Sequence, residues 1–106
     1  MSGNRKLQEL AALAIGIKPI GTHPSGGVQY KGNDGKFWVF DPIYRDGEAF
    51  RLETALGMNV EWFDDAVKVG AWYENFEDHN DDKAAARRMA AVREAADIAS
   101  SGGVPA

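Results

Sequence analysis

The sequence predicts an α+β domain: a four-stranded, mainly antiparallel sheet flanked by three helices, in the order α-β-β-α-β-β-α. Three observations predict it. Apolar residues recur at helical spacing near the start, near the middle and near the end of the chain. Two runs of alternating apolar and polar residues are each interrupted by turn residues, the pattern of a local hairpin. Lys36-Phe37-Trp38-Val39-Phe40 is apolar on both faces, as expected of a central strand covered on both sides.

Residues 5–15 read as the first helix, with Leu7, Leu10, Ala11 and Ala14 on one stripe. Gly16 supplies a C-terminal stop and Pro19 confirms it. From Gly16 to Gly27 the chain is rich in Gly, Ser and Pro and reads as a loop, pinned to the core by Ile15, Ile17 and Ile20. The first hairpin is Val28–Lys31, the turn Gly32-Asn33-Asp34-Gly35, and Lys36–Phe40, ended by Asp41-Pro42. Asp46 reads as the N-cap of a helix over Gly47–Leu56, with Ala49, Leu52 and Leu56 inward, Phe50 at the flank and Gly57 as the stop. Met58, Val60 and Trp62 form a half-buried strand, Asp64-Asp65 turns the chain, and Val67, Val69, Ala71 and Tyr73 alternate along its partner. An acid-rich loop from Glu74 leads to the closing helix, capped by Asn80 or Asp81 and reaching Ser100. Its seam is Ala85, Met89, Val92, Ala96 and Ala99, small residues that imply close approach to the sheet. One domain over 1–99 and a frayed tail over 100–106 follow.

The 106 residues contain no cysteine, which excludes disulfides, thiolate metal sites and thiol nucleophiles and suits a reducing cytoplasm, the expected location. No apolar run reaches the length of about 20 residues that spans a bilayer, so no membrane association is expected. The net charge of −4 is unevenly spread: residues 1–45 carry +3, residues 46–82 carry −9 and residues 83–106 carry +2. A net acidic chain is a poor candidate for direct nucleic-acid binding, which depends on cations that neutralise phosphates. Tyr30, Phe37, Trp38, Phe40 and Tyr44 stand among Lys31, Lys36 and Arg45, but alternation on a central strand assigns these rings to the core.

Catalytic constellations are weak. The two histidines, His23 and His79, are far apart in sequence. Asp78, Asn80 and Asp82 resemble half of a calcium loop, yet Lys83 stands where the glycine belongs and Met89 where the bidentate Glu belongs. Ser25 lies near His23 without a third orienting group. Asp64-Asp65 and Glu77-Asp78 are carboxylate pairs suited to solvent. Gly35-Lys36 leads into a strand instead of a helix and so makes no phosphate loop. No cofactor and no enzymatic activity are expected; a small metal-dependent enzyme is the alternative from another class.

The stretch Asp41–Gly57, DPIYRDGEAFRLETALG, resembles the central part of the phage ABA-sandwich domain family, with Asp46, Ala49 and Leu52 near its D-x-A-x-x-L type pattern. The closing AAARRMAAVREAADIA resembles that family's alanine-rich last helix. The resemblance spans most of residues 5–99 in element order and texture, and implies a phage or prophage source and an α+β fold but no active residues.

The function expected from these residues is an accessory protein that acts by binding another macromolecule, most simply a protein. Its candidate interface is Asp64, Asp65, Trp72, Glu74, Phe76, Glu77 and Asp78, aromatics ringed by acids. In the alternative form it is an anti-defence inhibitor: segment 46–82 imitates nucleic-acid phosphates and blocks the basic groove of a host nucleic-acid-binding protein.

Overall fold

The architecture follows from one alanine-rich helix. In the computed structural model, which describes residues 2–102, α3 (Lys83–Ser100) buries Ala86, Ala90, Ala91, Val92, Ala95 and Ala96. With a methyl group at most buried positions, neighbours come close on several sides: α1 (Ser2–Ala14), α2 (Asp46–Leu56) and the second of two sheets all pack on it. Asp82 caps the helix, its Oδ1 accepting from the Ala85 N–H at 3.0 Å. Asn80 and Asp81, expected as caps, instead take left-handed backbone at φ 55 and 61 and make the tight entry to it. The closing helix ends at Ser100 as expected; of the tail, 103–106 lie outside the described residues.

The α+β class and the three helices are as expected; the single four-stranded sheet is not. There are two separate three-stranded antiparallel sheets, ordered β1-β2-β3 and β4-β5-β6. In the first, β1 (Gly21–Thr22) arises inside the Gly/Pro loop and pairs with β2 (Val28–Lys31), which pairs in turn with β3 (Phe37–Phe40). The intruding two-residue strand makes β2 central and leaves β3 at the edge. Only its inner end is covered: Phe40 is 1% exposed, whereas Phe37 is 69% and Trp38 50% exposed. Double-sided apolarity here marks an uncovered edge strand, not a central one. Ile17 pins the loop as expected, while Ile20 stays exposed.

In the second sheet, β4 (Val60–Trp62), β5 (Ala66–Val69) and β6 (Trp72–Asn75) form a meander. The expected strand through Val67, Val69, Ala71 and Tyr73 is broken at Gly70, whose φ of +61 lets Val69 pair directly with Trp72. Alternation continues in step across this two-residue turn, which is why it reads as one strand. A 3₁₀ turn, Phe76–His79, then leads towards α3.

Asp46 is the first residue of α2 and not its cap; Arg45 takes the cap position with no side-chain bond, and the Asp46 carboxylate accepts from Arg88 at 2.6 Å. Gly57 closes α2 in left-handed backbone, φ 62. Two apolar clusters share α3. One gathers Ala11, Val28, Phe40, Leu52 and Val92; the other gathers Val67, Val69, Phe76, Ala86 and Ala90; Met58 packs against both.

One polar residue clips this arrangement. Gln8, 1% exposed on α1, donates to the Gly26 carbonyl at 3.0 Å and to Asp41 Oδ1 at 3.1 Å, and accepts from the Ile43 N–H at 3.0 Å. Its replacement Gln8→Leu keeps the volume and strands a buried carboxylate and a buried N–H. The expected loss is about 2–4 kcal/mol in urea unfolding; a loss under about 1 kcal/mol would mean that water or a shifted loop replaces the amide.

Candidate functional site

The seven candidate interface residues divide into separate places. Asp64 and Asp65 on the β4–β5 turn, Phe76 and Glu77 on the 3₁₀ turn, and Asn75 and Asp81 line one groove of about 550 Å³. The backbone draws its walls together: the Phe76 N–H donates to the Asp65 carbonyl at 2.9 Å, and the Asp81 N–H to the Phe76 carbonyl at 2.8 Å. Phe76 is only 5% exposed and belongs to the core, not to a contact surface. Asp78 is exposed but does not line the groove. Asp81 joins the acids here although its position before the helix marked it as a cap.

Glu74 is turned inward. Its Oε1 meets His79 Nε2 at 2.8 Å and its Oε2 lies 3.2 Å from Arg93 Nε. Arg93 also sits over the Trp72 ring, 5.9 Å from its centroid. Trp72 faces a shallow depression of about 160 Å³ with Leu7, Leu10 and Arg93, apart from the acidic groove. The acids of segment 46–82 therefore do not share one face: Asp64, Asp65, Glu77 and Asp81 do, and Glu74 serves an internal ion pair.

A different groove joins features that the sequence left unrelated. Phe50 on α2 and Trp62 on β4 flank a depression of about 420 Å³ between α2, β4 and α3. Both rings are open to solvent, Phe50 at 61% and Trp62 at 51%. The lining includes an internal ion pair: Glu53, 6% exposed, receives Arg87 through Nη2 at 2.5 Å and Nε at 3.0 Å. These bonds raise the Arg87 pKa further above its ordinary value, holding the guanidinium charged. Beside it Arg88 donates to the Ile43 carbonyl at 2.8 Å and to Asp46. The charges lining the groove are thus mutually paired, and what it offers to solvent is two aromatic walls. Sequence reading missed it because Phe50 and Trp62 come from elements whose apposition depends on α3. Arg87 and Glu53, the residues of one floor, are 34 positions apart.

Half-burial pushes the Glu48 carboxyl above the usual range, against the opposing pull of the Asp41 N–H, donating at 2.6 Å, and of Arg45. Of the histidines, His23 Nδ1 shares its contact with Ser25 Oγ at 3.0 Å in a local loop turn, and His79 is held by Glu74. Among the described residues no group of three or more His, Asp or Glu side chains has a geometry that could hold a metal ion. No described helix is long and apolar enough to cross a membrane.

The variant Arg87→Met leaves the Glu53 carboxylate buried and alone. The expected cost is about 2–3 kcal/mol in denaturant unfolding, under the range for a fully buried pair because the Arg87 side chain is 36% exposed. Adding Glu53→Gln should restore most of the loss; a double variant as unstable as Arg87→Met would refute the pairing argument. No protein-family model, curated protein or solved structure matches the chain.

Proposed function

We propose that this chain is a small non-enzymatic binding protein whose partner is another protein, docked on the aromatic groove between α2, β4 and α3. The observation that carries the reading is the exposure of Phe50 and Trp62 on either side of a depression whose charges are already paired. Large rings left in water beside polar groups that are already paired offer apolar area to a partner without stranding a charge. Hot spots favour such rings because each covers much area at little entropy cost. The resemblance of Asp41–Gly57 to phage ABA-sandwich proteins is what suggests a phage or prophage accessory role in the host cytoplasm.

The test is capture of a partner from a lysate of the source cell, followed by titration with the purified partner. Phe50→Ser/Trp62→Ser should fold normally, since both rings are exposed, and weaken the complex at least about 30-fold. Equal binding by the parent and the double variant would refute the reading.

A second reading is favoured by the acidic groove. Asp64, Asp65, Glu77 and Asp81 surround it with no cation in the lining, the charge arrangement of a surface that imitates phosphates and occupies a basic host protein's groove. Asp64→Asn/Asp65→Asn/Glu77→Gln should then abolish capture while Phe50→Ser/Trp62→Ser leaves it intact, and parental binding should fall steeply with salt. Salt-insensitive capture that survives the amide substitutions would exclude it.

A further inference from the structure

A groove of about 740 Å³ belongs to neither reading. It lies between the α1–β1 loop, the tip of the β2–β3 hairpin and α2, and its lining includes Lys18, Lys31, Arg51, Tyr30, Trp38 and Asp34. None of the three cations has a carboxylate within ion-pair distance among the described residues. The nearby acids are Asp34 in the lining and Glu48, one turn from Arg51 on α2. Asp34 is already engaged: its Oδ1 accepts from the Lys36 N–H at 2.9 Å and from Trp38 Nε1 at 3.3 Å.

The aromatic component is organised in advance. Tyr30 and Trp38 are direct cross-strand partners, so both rings stand on the same face of the sheet. Trp38 is 50% exposed, yet it is not loose. The indole N–H is tied to Asp34, and the ring rests against Gly32, where an added Cβ would come within 2.9 Å of it. Arg51 Nη1 reaches the Tyr30 hydroxyl at 3.4 Å, so a guanidinium adjoins the ring paired with Trp38.

We propose that this groove binds single-stranded nucleic acid, with a base stacked on Trp38 and phosphates passing Lys18, Lys31 and Arg51. A fixed, half-exposed ring beside unpaired cations is the combination that stacks any base and neutralises its backbone. A duplex hides its base faces and has nothing to offer Trp38. A free nucleotide would need buried polar groups to hold it, whereas every charged side chain in this lining is exposed. The net charge of −4 does not oppose the proposal, because the acids concentrate in residues 46–82 while the groove lining holds three cations against one acid.

The test is fluorescence anisotropy of a labelled oligothymidylate of about 12 nucleotides at low salt, with the unlabelled oligomer, the same sequence as a duplex, and thymidine monophosphate as competitors. The parent should bind and lose affinity with rising salt. Trp38→Ala should weaken binding about tenfold or more and Trp38→Phe should restore most of it. Lys18→Gln/Arg51→Gln should flatten the salt dependence by about 0.7 log units per log unit of salt for each cation removed. Phe50→Ser/Trp62→Ser should bind the oligomer like the parent, which separates this groove from the protein-docking one. Absence of binding, indifference to Trp38→Ala in a variant that melts like the parent, or equal competition by duplex or monophosphate would each overturn the proposal.

Discussion

The shortness of the side chains on α3 governs everything else in this molecule. Ala86, Ala90, Ala91, Ala95 and Ala96 are all buried, and each brings a neighbouring backbone closer than a Leu or Ile could. That proximity lets one 18-residue helix serve as a floor for α1, for α2 and for β5 and β6. The cost is that methyl groups bury little area apiece, so apolar burial must be gathered from several partners at once. Larger buried side chains such as Leu52, Val67, Val69 and Phe76 come from the elements laid against the helix.

Polar anchoring supplements this thin apolar core. Gln8 satisfies three groups from loops that would otherwise have no fixed partner, and Glu53 with Arg87 fixes α2 against α3. Such bonds add modest net stability when made and a large penalty when half broken. They suit a small domain that must select one arrangement of its helices. They also neutralise local charge at the base of the Phe50–Trp62 groove, leaving apolar contact as what that groove has to offer.

The legible parts of the sequence were those set by local periodicity. Helical spacing located all three helices, and Gly16 and Gly57 marked their ends because a left-handed stop is a local requirement. The sheets were less legible because the period of two says which residues share a face but not whether anything covers that face. Phe37-Trp38-Val39-Phe40 has the same pattern whether central or at an edge, and the two residues that decide the matter, Gly21 and Thr22, have no strand signal of their own. Gly70 was hidden for the opposite reason, since a two-residue turn preserves the alternation it interrupts. Of the candidate interface, Asp64, Asp65 and Glu77 line one groove, but composition could not reveal that Glu74 faces His79 and Arg93 or that Phe76 lies in the core.

Dividing six strands between two sheets, instead of joining them, creates four unpaired margins. Those margins are β1, β3, β4 and β6, of two, four, three and four residues. A foreign strand docking there would find fewer hydrogen-bonding positions than the usual strand of about five or six residues provides. The brevity that makes these strands hard to detect thus also blunts them as templates for aggregation, and lets the protein keep its aromatic rings in water without inviting edge-to-edge assembly.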